Sequence, residues 1–304
     1  MRYTFIKELT KQAKKNKQII LLTADLGFTV FESFAKALPK QFINVGVAEA
    51  NMIGTATGLA LSGKIVFCYS IATFASMRTF EQIRNDVCAH NASVTIVGSG
   101  AGLSYSDAGT SHHALEDIAI IRSLPNMHVL CPADPVETTW ATAQAISLAK
   151  PVYLRLGKKG EPIIPATKKL TLGKARVLKK GPDVVIIATG NIVYTTLLAA
   201  TLLEKQGIHA TVLSIHTVKP LDKKLLITLS SAFPLFVTVE EHSIIGGLGS
   251  AVAEVVSELK NPPQLKRIGL PDTFVHIGGT HAYLRSYYGL SAEAIATTIR
   301  GALP

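Results

Sequence analysis

Gly46-Val47-Ala48-Glu49-Ala50-Asn51-Met52 holds a single charged residue, Glu49. It falls where a short apolar run, 42–45, gives way to a helix-like stretch of small residues, 50–61. A carboxylate among apolar and small neighbours is hard to hydrate, which suits it to holding or passing a proton near neutrality. The plainer reading is that an acid in the first turn of a helix complements the helix dipole. The handover itself decides the fold, because a short apolar strand feeding a helix is the repeating unit of an α/β protein.

The same unit recurs on both sides. Toward the N-terminus, 5–15 reads as a helix, 19–22 as a strand and 31–38 as a helix. Toward the C-terminus, strands are expected at 65–69, 94–97, 128–131 and 152–156, with helices at 80–90, 114–124 and 136–148. Short apolar strands alternating with helices predict a parallel sheet covered on both faces. From Gly157 to Pro182 Lys, Gly and Pro dominate, with weak strand patterning only at 163–164 and 175–178. Alternation resumes at 184–188, 193–205, 210–214, 223–229, 235–239, 249–259, 265–268 and 292–301. The expected organisation is an α/β domain over 1–165, a linker over 166–182 and a second α/β domain over 183–304, with parallel or mixed sheets.

Bulk composition agrees. A chain of 304 residues, 48% hydrophobic and 17% charged, suits two domains with sizeable cores. Cys68, Cys88 and Cys131 are far apart and form no CxxC pair. They indicate neither a disulfide framework nor a zinc site, and point to the reducing cytoplasm. No apolar signal core follows Met1. The uncharged run 184–203 is long enough to raise the question of a membrane helix, but Gly190-Asn191 splits it into a strand and a helix. The net charge of +10 sits on lysines scattered over turns and linkers, such as Lys158-Lys159 and Lys168-Lys169. That distribution describes solvated surface; neither nucleic acid nor a membrane is an expected partner.

In open parallel sheets, ligands gather where strands end and helices begin. Asp25, Glu49 and Ser111-His112-His113 all fall at such junctions. Ser111 is placed to cap the helix at 114–124, with Glu116 and Asp117 in its early turns. A histidine at a helix N-terminus tends to stay neutral, which suits a hydrogen-bond donor or proton shuttle; a surface histidine near a cap is the plainer alternative. Gly246-Gly247-Leu248-Gly249 lacks the full GxGxxG spacing and reads as close strand–helix packing. Glu240-Glu241-His242 reads as domain-interface contacts, because no second cluster accompanies it to make a metal site.

Several motifs taken in order resemble the transketolase family of thiamine-diphosphate enzymes. They are Thr23-Ala24-Asp25-Leu26, the Glu49 stretch, Thr73-Phe74, Phe80-Glu81-Gln82-Ile83-Arg84 and Ala108-Gly109-Thr110-Ser111-His112-His113. Leu124-Pro125-Asn126-Met127, Pro132-Ala133-Asp134 and Glu240-Glu241-His242 through Gly249-Ser250 continue the resemblance over nearly the whole chain. It implies a pyrimidine-binding domain followed by the transketolase C-terminal domain. The family's diphosphate-binding domain, with its Gly-Asp-Gly…Asn magnesium motif, normally precedes these and is absent here. The chain is therefore expected to be the C-terminal subunit of a split transketolase. A homodimer within an α2β2 assembly is implied, in which the N-terminal subunit holds Mg²⁺ and the diphosphate.

On this resemblance, Glu49 hydrogen-bonds N1′ of the aminopyrimidine and favours its imino tautomer, and His112 contacts substrate oxygens. These two are the catalytic candidates. Asp25, Phe74 and Phe80 are further cofactor-binding candidates, the phenylalanines as stacking partners for which core packing is the alternative. Arg2 and Lys158 match positions that bind substrate phosphate, with a solvated surface cation as the alternative. Asp107 is a further substrate-binding candidate, and no metal ligand is expected on this chain. The implied reaction moves a two-carbon ketol unit from a ketose, expected to be phosphorylated, to an aldose.

Two departures stand out. Ala108 occupies the place of an aspartate that senses a sugar hydroxyl, and Gly100 stands where the family offers histidine or arginine to a phosphate. The acceptor end is thus expected to be remodelled and the substrate to differ from the usual pentose phosphates. The alternatives are a 2-oxoacid dehydrogenase beta chain, a deoxyxylulose-phosphate-synthase-like enzyme, and a non-catalytic regulatory subunit. Retention of Glu49 and His112 speaks against the last.

Overall fold

Runs of apolar and β-branched residues form the strands, and those at Ile19–Thr23, Val152–Leu156, Val184–Ala188 and Ala210–Ser214 are buried at every position. The structure is a computed structural model that describes residues 1–158, 160–164 and 169–303. In chain order the first strands are β1 (Ile19–Thr23), β2 (Phe42–Asn44), β3 (Ile65–Ile71), β4 (Val94–Ser99), β5 (His128–Leu130) and β6 (Val152–Leu156). They are followed by β7 (Arg176–Lys179), β8 (Val184–Ala188), β9 (Ala210–Ser214), β10 (Thr217–Lys219), β11 (Leu235–Ser243) and β12 (Gln264–Leu270).

Two sheets result. The first has the order β10-β5-β6-β4-β3-β1-β2 and the second β12-β11-β8-β9-β7. All pairings are parallel except β10 on β5 and β7 on β9. Strands β1 to β6 run parallel, so the loops that follow them leave the same edge of the sheet. That edge collects Asp25, Glu49, Phe74, Asp107, His112 and Lys158.

The α/β class and most elements match the expectation; four details differ. Part of the stretch read as a linker, Arg176–Lys179, is strand β7, while 166–168 lie outside the described residues. Strand β10 comes from the second half of the chain but completes the first sheet. Helices Ala72–Ser76 and His281–Tyr287 add to the expected set. The helix expected at 114–124 begins only at Asp117, with Glu116 at its cap position. Ala114 is drawn into a bridge with Gly102, and its carbonyl accepts from the Arg155 guanidinium at 2.8 Å. Ser111 therefore does not cap that helix, and His112 is not at its N-terminus; both lie in a separate 3-10 turn, Thr110–His112.

Buried charge ties the domains together. Arg155 donates to Asp117 at 2.7 Å and to the carbonyl of Glu241 at 3.1 Å, and both side chains of the ion pair are buried. Burial pushes the Asp117 carboxyl up, but the Arg155 guanidinium outweighs it and holds it below the usual range. Glu241 accepts from the amide of Leu103 across the domain boundary and pairs with His281 and Arg285. Glu240 instead accepts from the amides of Leu248 and Gly249 at 2.7 and 2.8 Å, filling a helix N-terminus with the chain's own carboxylate. A Cβ on Gly247 would meet that carboxylate at 2.0 Å, which explains the glycine there.

These groups predict acid sensitivity. Burial lowers the imidazoles of His216 and His242 from the usual 6.5 to about 4, so each resists protonation in the folded state. Their contribution is present above 6.5 and is lost as pH falls toward about 4. Glu240 opposes them. Burial raises its carboxyl from 4.5 to about 7, so its contribution is present below 4.5 and lost as pH rises through about 7. Among these three the two histidines outweigh Glu240, and the depressed Asp117 carboxyl adds in the same direction, so melting temperature falls from neutral toward acid pH. His216→Gln should flatten that acid limb and Glu240→Gln should steepen it, as read by melts across the range; equal slopes in all three proteins would refute the assignment.

Candidate active site

The Glu49 stretch is fixed from below by Asn44 at the end of β2. Its Oδ1 accepts from the amides of Asp25 and Gly46 at 3.0 and 3.1 Å, and its Nδ2 donates to Asp25 Oδ1 at 2.9 Å. Asp25 is exposed and braces the loop that delivers Glu49, and no described hydrogen bond joins the two. Helix Glu49–Leu61 has no side-chain cap, and its first residue turns inward.

Glu49 is 2% exposed. A buried carboxylate requires partners, and it has two. Ser70, in β3, donates to Oε1 at 3.1 Å, and Arg78 donates to Oε2 at 2.6 Å. Arg78 lies in the turn between helices Ala72–Ser76 and Phe80–Gln82, and its side chain is 49% exposed. The guanidinium also lies over the ring of Phe74, 4.7 Å from the centroid.

From Phe74 a run of contacts leads away from Glu49. His112 meets the Phe74 ring edge-on at 5.2 Å and Tyr105 at 5.9 Å. Ser111 Oγ lies 2.9 Å from His112 Nδ1, and Thr73 donates to the Ser111 carbonyl at 2.8 Å, holding the turn against the helix that carries Phe74. The Lys158 ammonium sits 4.6 Å over the Tyr105 ring, and Arg2 donates to the Lys158 carbonyl at 3.0 Å. Asp107 is exposed and shares with Lys158 a cleft of about 480 Å³ that also reaches Arg285 of the second domain.

The structure thus joins Glu49, Phe74, His112, Lys158 and Arg2 in one strip, with Asp107 at its far end. Phe80 makes no described contact with Glu49 or Phe74; it lines an adjoining, largely apolar pocket with Thr73, Met77, Ser111, Leu115 and Phe274 and packs against the core. Sequence reasoning missed Arg78, Ser70 and Tyr105. Tyr105 also explains Gly100: at φ +86° a Cβ there would meet the tyrosine ring at 2.0 Å, so the ring fills the place where a longer side chain would reach. Its signal was an aromatic residue two positions before Asp107.

A buried acid linked through a half-exposed guanidinium to an aromatic ring suits an aminopyrimidine, which could take that guanidinium's place. The described residues contain no group of three or more His, Cys, Asp or Glu able to hold a metal ion.

The model of the transketolase pyrimidine-binding domain matches residues 1–161 and that of the transketolase C-terminal domain matches 173–295. The chain belongs to the transketolase family. It is 41% identical to the 6-deoxy-6-sulfo-D-fructose transketolase subunit SqwH of Clostridium sp. (strain MSTE9), over 97% of this chain and 92% of that one. It is 37% identical to a subunit of the apulose-4-phosphate transketolase of Phocaeicola vulgatus, over 98% and 95% respectively. It also superposes on a split-gene transketolase solved as an inactive beta4 tetramer, with a TM-score of 0.89 at 39% identity, covering 99% of this chain and 97% of the other.

Proposed function

We propose that this chain is the C-terminal subunit of a split, thiamine-diphosphate-dependent transketolase. The observation that carries the reading is the buried Glu49 carboxylate linked through Arg78 to the Phe74 ring and from there to His112. Two relatives matched over at least 92% of their length are themselves transketolase subunits, which supports a partner chain. Exposed apolar residues around Glu49, among them Val47 at 75% and Met77 at 36%, form a face suited to such a partner. That partner would carry the diphosphate-binding domain and the Mg²⁺ ligands, and an α2β2 assembly follows from pairing two of each. The three cysteines are free and buried, in keeping with a cytoplasmic protein, and no helix among the described residues is long and apolar enough to cross a membrane.

When bound, thiamine diphosphate supplies the carbon nucleophile and the electron sink for breaking a carbon–carbon bond. The chain's own work is then as follows. Glu49 would hold a proton at the pyrimidine N1′ position, and its burial keeps that proton from water. Phe74 offers the stacking face. His112 orients substrate oxygens, and Lys158 with Arg2 receives an anionic end. Asp25 acts through Asn44 as a brace.

The natural sugar pair is proposed to differ from xylulose 5-phosphate and ribose 5-phosphate. Tyr105 closes over Gly100, and Ala108 offers no carboxylate. The two relatives are named for 6-deoxy-6-sulfo-D-fructose and apulose 4-phosphate, which supports the same direction. The test is to reconstitute the chain with its partner and assay ketose–aldose pairs. Turnover of ketose with aldose supports the reading; consumption of pyruvate alone would place the enzyme with the decarboxylating relatives. Ordinary pentose-phosphate activity would refute the altered specificity.

A further inference from the structure

Arg78 makes, within this chain, both contacts expected of the cofactor's pyrimidine. Its planar guanidinium bonds to Glu49 Oε2 at 2.6 Å and lies 4.7 Å over the Phe74 ring. One side chain therefore covers the acid and the stacking face together. A guanidinium can do so because, like the imino form of the aminopyrimidine with its N1′–H, it is flat, presents an in-plane N–H to the carboxylate and stacks on aromatic rings. Arg78 is also placed to leave. Its side chain is 49% exposed and sits in a turn between two short helices, whereas Glu49 is held from the other side by Ser70.

We propose that Arg78 is an internal stand-in for the pyrimidine ring: it positions and neutralises Glu49 in the cofactor-free chain and must release the carboxylate when the cofactor binds. The proposal rests on the functional reading above. A buried carboxylate with no partner destabilises a fold, so an enzyme that assembles before taking up cofactor needs such a group. The consequence is competition. The affinity measured for the cofactor is reduced by the fraction of protein in which Arg78 holds Glu49.

The experiment is calorimetric titration of the reconstituted enzyme with thiamine diphosphate and Mg²⁺. Arg78→Met keeps an apolar stem over Phe74 and removes the charge. Because Arg78 is half exposed, the release is modest: Kd should tighten by about threefold or more. In a Glu49→Gln background the same substitution should tighten Kd clearly less, since only the neutral amide contact and the Phe74 face remain to compete for. In the isolated chain, Arg78→Met should lower the melting temperature more when Glu49 is present than in the Glu49→Gln background, where no buried charge is stranded. A Kd equal to or weaker than wild type in Arg78→Met, with Glu49 intact, overturns the stand-in role. Full turnover by Glu49→Gln would instead sink the functional reading itself, so the two failures are separable.

Discussion

Glu49→Gln should lower turnover of the reconstituted enzyme by about 10²–10⁴-fold, the range associated with a positioned proton-transfer group. The amide is isosteric, and its oxygen can still accept from Ser70 or Arg78, so the fold should survive. What it lacks is a carboxyl that can gain and lose a proton in a site that is 2% exposed. Steady-state rates paired with a thermal melt check this. A folded variant that retains near-normal turnover would show that Glu49 is only a helix-start acid.

The largest stability effect is expected at the domain boundary, with Arg155→Met. Arg155 is buried, pairs with Asp117 at 2.7 Å and also donates to the carbonyls of Ala114 and Glu241. Removing it leaves a buried carboxylate without its cation, a change that typically costs about 3–5 kcal/mol. Tyr153, which donates to Asp117 at 2.6 Å, cannot replace a charge. Pairing Arg155→Met with Asp117→Asn should recover part of the loss, because the stranded charge is gone. Denaturant titration of the single and double variants reads both. A loss below about 1 kcal/mol for the single change would place this pair with exposed ion pairs in its energetics.

The parallel sheets were legible because buried strands announce themselves as unbroken apolar runs, as in Ile19–Thr23 and Val184–Ala188. Glu49 was legible for the same reason in reverse, as a lone charge at such a run's end. Arg78 was not. It lies 29 residues from Glu49, and nothing local marks an arginine as a partner for a distant acid. Ser111 misled because a serine before an acidic pair has the pattern of a cap, yet a bridge between Gly102 and Ala114 commits the backbone there to extended form. Phe74 and Phe80 looked alike in sequence; only the turn carrying Arg78 places one under the acid's partner and the other against the core. Strand β10, three residues long, carries too little pattern to be read, and its pairing is set by the neighbouring domain.

That strand bears on how such a chain can evolve. The first sheet ends on Thr217–Lys219, and the Lys219 ammonium reaches back to the carbonyls of Arg122 and Leu124 at 2.9 and 2.5 Å. Any recombination event with its crossover between the sheets would exchange β10 along with the second domain. The incoming segment would have to supply a matching edge for β5, or leave it bare to pair with other molecules. Exchange of the second domain is therefore never neutral for the first sheet, and selection on the second domain also acts on the sheet that positions Glu49.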